Sequence, residues 1–358
     1  MQLDLKHLKQ LIQEQALELG FLEARISRAT INKDAQHNFE QWLKQGYAGE
    51  MDYLTNNRQL RFAPETLHNN TLSIISVKAP YLTQSVSYHK QRLSELHNGY
   101  ISSYALGRDY HKVVKQQLNK LAKFINQYLG QFNLEHNFRV FTDSAPIMEV
   151  QLAMQAGNGW RGKHTLLINQ QHGSMFFLGE IFTNLALEAD AHSSSHCGSC
   201  HKCLDVCPTQ AIIAPYQLDA TRCIAYLTIE NSGSIPEQFR QAIGNRIYGC
   251  DDCQLFCPWN KFSQLSTYAD FKPRHQLDQL SLYQLFSWNE AQFIQKMQGS
   301  PIYRIGFNAW QRNLAIAIGN APYDQQLLQL LKQRLATATA MVQEHISWAI
   351  EQQLSKLK

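Results

Sequence analysis

The stretch Cys197-Gly198-Ser199-Cys200-His201-Lys202-Cys203-Leu204-Asp205-Val206-Cys207-Pro208 places four thiols at intervals of two, two and three residues, followed by a proline. Bacterial two-cluster ferredoxins hold their [4Fe–4S] cubes with this spacing. A second set, Cys223 with Cys250, Cys253 and Cys257-Pro258, repeats the ending of the first but carries 26 residues in place of one two-residue interval. The chain has eight cysteines, so two four-thiolate sites leave none over. Intervals of two residues wrap the backbone around one cube, whereas the three-residue interval and the proline carry the fourth cysteine away to the neighbouring cube. The expected sets are therefore Cys197, Cys200, Cys203 and Cys257 for one cluster, and Cys223, Cys250, Cys253 and Cys207 for the other. Zinc is the rival metal, but four-cysteine zinc sites usually come as two separated Cys-x-x-Cys pairs. Two adjacent cubes read as an electron path more readily than as a structural brace.

Around this centre, the 358 residues are 44% apolar and 17% charged, which suits a buried core and excludes a disordered chain. All eight cysteines lie between 197 and 257, which is not the distribution of a secreted disulfide scaffold. Asp4 and Lys6 break the apolar run that a signal peptide needs, and no run approaches the roughly 18 apolar residues of a membrane span. The expectation is a soluble, cytoplasmic protein with no membrane partner. The net charge of +4 is unevenly placed: residues 272–358 hold nine basic and five acidic side chains, and the rest balances at 24 of each. Such a tail favours a polyanion through counterion release, although the same excess is ordinary on solvated helices.

Apolar periodicity organises the flanks. Leu8, Leu11, Ile12 and Leu19 predict a helix over 3–19 that Gly20 ends, and Val114, Leu118, Leu121, Ile125 and Leu129 predict another over 111–129 with Gly130 after it. Thr71–Val77 and Phe138–Thr142 read as strands, and Ser144-Ala145-Pro146 as the opening of a helix, which puts Asp143 at a strand-to-helix corner. Thr165–Ile168 and Ser174–Phe182 predict a hairpin around residues 169–173. The fold class is α+β, with an α+β domain over 1–187, a ferredoxin-like two-cluster domain over 188–264 and a helical segment over 265–358. Its last two helices fall near 310–318 and 326–354, with a break inside the second.

Other patterns carry less. Gly157-x-Gly159-x-x-Gly162 has the letters of a dinucleotide fingerprint, but it follows a helix and precedes a strand, the reverse of what that turn requires. Asp109-x-His111 and Asp190-x-His192 begin like a cobalamin-ligating motif, yet neither has its glycine, so any corrinoid would lack that histidine ligand. The fourteen histidines show no His-Glu-x-x-His spacing, and His196 and His201 flank thiol sites that are already complete.

Several segments together resemble the epoxyqueuosine reductase family. They are Gly107-Arg108-Asp109-Tyr110-His111, Asp143-Ser144-Ala145-Pro146, Gly159-Trp160-x-Gly162-Lys163, Phe177-Leu178-Gly179-Glu180, the cysteine runs, and Gly244-Asn245-Arg246-Ile247-Tyr248-Gly249-Cys250-Asp251-Asp252. The resemblance spans about 55–315. It implies two [4Fe–4S] clusters and cobalamin, with the corrinoid between the N-terminal and cluster domains. It further implies removal of the epoxide oxygen from epoxyqueuosine at the wobble position of the tRNA anticodon loop. The tail would be HEAT-like and would contact tRNA. The protein would be a monomer supplied by an external low-potential electron donor. By the same resemblance Asp143 is the proton donor, and Arg61, Ser102, Asp143, Lys163, Cys250 and Asp251 contact the corrinoid. From residue type alone, Asp143 reads instead as a helix N-cap whose charged form the helix dipole favours. Val150 departs from the family, where arginine commonly follows Glu149. Two rivals stay open at this point: a reductive dehalogenase-like corrinoid enzyme acting on a small molecule, and a plain ferredoxin-type electron carrier.

Overall fold

The computed structural model describes residues 3–357. Its N-terminal part is built on a four-stranded antiparallel sheet in the spatial order Ala24–Arg28, Ser73–Pro80, Phe176–Thr183, Phe138–Phe141. Ser73–Pro80 is buried at all eight positions, Ser73, Ser76 and Lys78 included, because helices cover both faces of the sheet. Leu5–Glu18 and Tyr110–Gly130 bury Leu8, Ile12, Val114, Leu118, Leu121 and Ile125 against Ile26, Ile75, Val77 and Ile181 on one face. The short helix Glu149–Gln155 covers the other, with Leu152 packed beside Ile74 and Phe182.

Two expected elements differ. The hairpin over 165–182 does not form: Leu167–Ile168 pairs with Trp160–Arg161, and only Asn169 and Gly173 bridge across the turn. Phe176–Thr183 is long enough to satisfy both its edges against two other strands, so it enters the main sheet instead. The helix expected to open at Ser144 begins at Glu149. Asp143 is left-handed with φ 57°, and Ser144 and Ile147 close tight local turns onto Thr142 and Ala145, so no helical ladder starts before the Leu152 amide reaches the Met148 carbonyl. Asp143 is thus a loop residue and not an N-cap. At Gly157, φ is +78° and an added Cβ would stand 2.0 Å from the Ala191 carbonyl oxygen, so this glycine serves a tight turn after Gln155.

The cores cross both divisions expected from the sequence. Leu255 and Phe271 belong to the core of the N-terminal sheet. A second core joins Ile101 and Leu106 to Ile224, Leu227, Ile243 and Ile247 of the long cysteine insertion and to Trp310, Leu314 and Ile346 of the tail. Arg246–Tyr248, just before Cys250, pairs in parallel with Tyr100–Ile101. Arg312 is wholly buried without a carboxylate and donates to the carbonyls of Leu227, Asn231 and Gly233, which ties the tail to the insertion. The tail helix Gly306–Asn320 packs along Ala340–Ser355, and a break at 336–339 separates the latter from Gln325–Leu335. Among the described residues no helix is long and apolar enough to cross a membrane.

Candidate functional site

All eight cysteines are free thiols, and the fold gathers them into two groups. Burial, then the neighbouring thiols of Cys257, Cys197 and Cys200, pushes Cys203 up to about 11. Burial, then Cys223 and Cys207, does the same in direction for Cys253. Cys207 therefore lies near Cys223 and Cys253, and Cys257 near Cys197, Cys200 and Cys203. Cys197, Cys200, Cys203 and Cys257 line an open cavity of about 850 Å³ beside Trp259 and Phe262. The Trp160 indole donates to Cys197 Sγ at 3.4 Å and the Ala211 amide to Cys207 Sγ at 3.2 Å, contacts that stabilise thiolate sulfur. Among the described residues no group of three His, Cys, Asp or Glu side chains converges on a single metal ion. The two thiol sets suit polynuclear cubes in number and kind. Cys200 is exposed, whereas every thiol of the second set is partly shielded.

The second feature surrounds Asp143. Tyr110 donates its hydroxyl to Asp143 Oδ2, and His111 Nε2 lies 3.2 Å from the same oxygen. His111 Nδ1 in turn lies 2.8 Å from Asp109 Oδ1, so both imidazole nitrogens are engaged by carboxylates. Tyr110 is held by stacking on Phe177, with ring centroids 4.1 Å apart and planes 6° from parallel. Burial would push His111 down, but its bonds to Asp109 and Asp143 outweigh that and raise it to about 9. Burial pushes Asp143 up, and here too the bonds from His111 and Tyr110 win, leaving the carboxyl below its usual range. The donor role had called for a raised pKa. In this arrangement Asp143 is an anion at neutral pH, and the proton resides on His111.

Asp143 is 55% exposed, Tyr53 54% and Arg304 53%, and the three border one open face. Arg304, paired with Glu230, adds positive charge that favours the Asp143 anion, and burial with Glu230 and Asp143 lifts the Tyr53 phenol to about 12. Beneath the Asp143 loop lie two more carboxyls. Glu149 Oε1 accepts the Asp143 amide, and burial and the Asp143 charge push its carboxyl up to about 8. Glu180, wholly buried on the strand Phe176–Thr183, has the Glu149 carboxyl as its hydrogen-bonding neighbour and is pushed well up by burial and by Glu149.

The residues expected at a corrinoid separate. Arg61 is buried near Asp143, donating to the carbonyls of Ile147 at 3.2 Å and Tyr53 at 3.1 Å, with Nε unpartnered. Ser102 Oγ bonds Asp251 Oδ1, and Tyr100 Oη and the Ser103 amide take Asp251 Oδ2 at 2.8 and 2.7 Å, so these buried groups satisfy one another. Cys250 lies 2.9 Å from Asp252 within the second thiol set. Lys163 is placed elsewhere than expected: its ammonium finds its acceptors in the carbonyls of Gly198 and Cys200, at 2.7 and 2.8 Å, beside the first set. Val150 packs near Leu167 and Phe176, in an apolar patch. Sequence reasoning missed His111, Tyr110, Glu149, Tyr53 and Arg304 as site residues. The first two stood inside a quoted segment, where His111 was weighed only as a metal ligand.

Residues 61–144 match the family described as epoxyqueuosine reductase QueG, DUF1730, and residues 196–260 match a 4Fe–4S double cluster binding domain. The chain is 47% identical over 354 residues to the epoxyqueuosine reductase of Salmonella typhimurium, covering 99% of this chain and 90% of that protein. It is 46% identical to that of Escherichia coli K12, covering 99% and 92%. The solved epoxyqueuosine reductase of Streptococcus thermophilus superposes with a TM-score of 0.85 at 26% identity, covering 97% of this chain and 90% of that one. A crystal structure of an epoxyqueuosine reductase with a tRNA-Tyr epoxyqueuosine-modified stem loop shares the fold, with a TM-score of 0.82 at 24% identity over 98% and 100% of the two chains.

Proposed function

The chain belongs to the epoxyqueuosine reductase family, and we propose that the open face bordered by Tyr53, Asp143 and Arg304 is where it works. It is an oxidoreductase that reduces epoxyqueuosine in tRNA and binds iron–sulfur clusters. The base is at the wobble position of the anticodon loop. Electrons from an external low-potential donor enter at the first cluster, whose Cys200 is exposed, and leave through the second, whose Cys250 adjoins Asp251 and the Tyr100–Ser103 segment. The helical tail, HEAT-like in its paired helices and the bearer of the chain's positive excess, contacts the tRNA backbone. The protein acts as a monomer in the cytoplasm, where tRNA is modified.

The residues present fit a corrinoid that receives no histidine from the protein, because both nitrogens of His111 are committed to Asp109 and Asp143. Cobalamin would lie against Arg61 and Asp143 on one side and the Ser102, Cys250 and Asp251 wall on the other. Bound there, it supplies low-potential two-electron chemistry at the substrate carbon.

The protein's own part is the proton. Two electrons and two protons turn the epoxide into an alkene and water, and the oxygen needs a proton as its bond to carbon breaks. At neutral pH that proton is held between His111 Nε2 and Asp143 Oδ2, with Tyr110 keeping the carboxylate in place. The convergence of His111 Nε2 and the Tyr110 hydroxyl on one oxygen of a half-exposed Asp143 carboxylate is the observation that carries the reading. Asp143 passes the proton outward and His111, itself anchored by Asp109, replaces it.

The sign of the pH dependence follows. His111 is charged below about 9 and loses its proton above it, so kcat/KM should fall as pH rises through about 9. Asp109→Asn removes one of the two carboxylates that sustain the imidazolium, and the alkaline limb should move to lower pH. A pH–rate profile in which the limb stays in place would exclude His111 as the proton store. The function as a whole is tested by an anaerobic assay with cobalamin, a strong reductant and epoxyqueuosine-containing tRNA, read as loss of the epoxide. Turnover that proceeds equally without cobalamin would overturn the corrinoid assignment.

A further inference from the structure

We propose that Glu149 is a positioning residue: it accepts the Asp143 backbone amide and so holds the Asp143 loop in the conformation that aims its carboxylate at Tyr110 and His111. The inference rests on the reading of Asp143 as the proton-bearing group.

Asp143 adopts φ 57°, a left-handed conformation that non-glycine residues keep only when their surroundings impose it. Within the loop, the Ser144 amide bonded to the Thr142 carbonyl closes a γ-turn on Asp143 that itself calls for a positive φ, and a second restraint comes from outside it. Ser144 bonds back to Thr142 and Ile147 to Ala145, both within the loop, whereas the Asp143 amide reaches out to Glu149 Oε1. Arg61 fixes the far end of the same loop through the Ile147 carbonyl. The loop is thus pinned at two points, and the one at Asp143 is a side-chain carboxyl six residues on.

Glu180 explains why that carboxyl points outward. It stands on the strand Phe176–Thr183 opposite Ser76 and Phe141, wholly buried, and the Glu149 carboxyl is its hydrogen-bonding neighbour among the described residues. Two carboxyls side by side in such a place cannot both ionise. Glu180 stays neutral, and Glu149 turns its free oxygen to the amide of Asp143. Without that acceptor the turn keeps only its bonds within the loop, the loop opens more often, and in the opened form the carboxylate leaves His111.

The test uses the full chain with clusters and cobalamin loaded and epoxyqueuosine-containing tRNA as substrate, together with hydrogen–deuterium exchange of the peptide over 142–148 without substrate. Glu149→Met keeps the volume but removes the acceptor, Glu149→Asp keeps a carboxyl but falls one methylene short, and Glu149→Gln keeps an acceptor oxygen in reach. A hydrogen bond to an ionisable acceptor is worth about tenfold or more in such an equilibrium, so Met and Asp should lower kcat by about that factor. KM for tRNA should stay within about twofold, and exchange at 142–148 should quicken. Gln should restore both kcat and protection. Unchanged exchange and kcat in the Met and Asp variants would overturn the proposal, as would a Gln variant as slow as Met. If Asp143→Asn turned over normally, the reading of Asp143 itself would fail, while the exchange data would still report whether Glu149 holds the loop.

Discussion

Asp143→Asn is expected to lower turnover of epoxyqueuosine-tRNA by about 10²- to 10⁴-fold, the usual worth of a positioned proton donor. Asparagine keeps the size of the side chain and an oxygen for Tyr110, so the loop and both clusters should survive. It cannot take up a proton from His111 or give one to the departing oxygen. Iron content and the cluster absorbance should therefore match the wild type, and KM for tRNA should change little, because the loss lies in the chemical step. His111 loses one of the two carboxylates that lift it, so its titration should move below about 9. A variant that turns over at near-normal rate would remove Asp143 from the mechanism, and with it the reason for reading His111, Tyr110 and Asp109 as a proton relay.

Cys207→Ser should abolish turnover by a different route, through loss of the second cluster. Cys207 follows Cys203 by only four positions, yet its neighbours in space are Cys223 and Cys253. Anaerobic preparations of the variant should retain about four of about eight iron atoms. The crossing is decided by double variants. If Cys207 and Cys253 ligate one cube, Cys207→Ser/Cys253→Ser should lose no more iron than either single change, about four atoms. Cys207→Ser/Cys203→Ser should lose nearly all. The reverse pattern would mean that each run of cysteines closes its own cube. On the proposed path, in which the first set feeds the second, removal of the second should stop electron delivery even where the first remains reducible.

The chemistry of the cysteines was legible in the chain because it is local: intervals of two and three residues constrain which thiols can reach one cube, whatever the rest of the protein does. The long helices and the central strand were legible for a related reason, since periodic apolar residues such as Val114, Leu118, Leu121 and Ile125 report a buried face directly. The predicted hairpin failed because a strand's partners are chosen by the whole sheet; Phe176–Thr183 had two better edges available than Leu167–Ile168. Asp143 could be located by family resemblance but not understood, since its neighbours of interest lie far off in sequence or on other elements.

The sequence by itself determined the eight clustered thiols, the two-cluster count, a mixed helix-and-sheet fold and the family to which the chain belongs. Each of these is written in residue type and short spacing. Only the tertiary structure decided that His111 stands between Asp109 and Asp143, that Glu149 and a buried Glu180 lie under the Asp143 loop, and that Lys163 bonds the carbonyls of Gly198 and Cys200. Hydrogen bonds and pKa shifts of this kind depend on distances of a few ångströms between residues up to tens or hundreds of positions apart, and such distances exist only once the sheet, the insertion and the tail have packed.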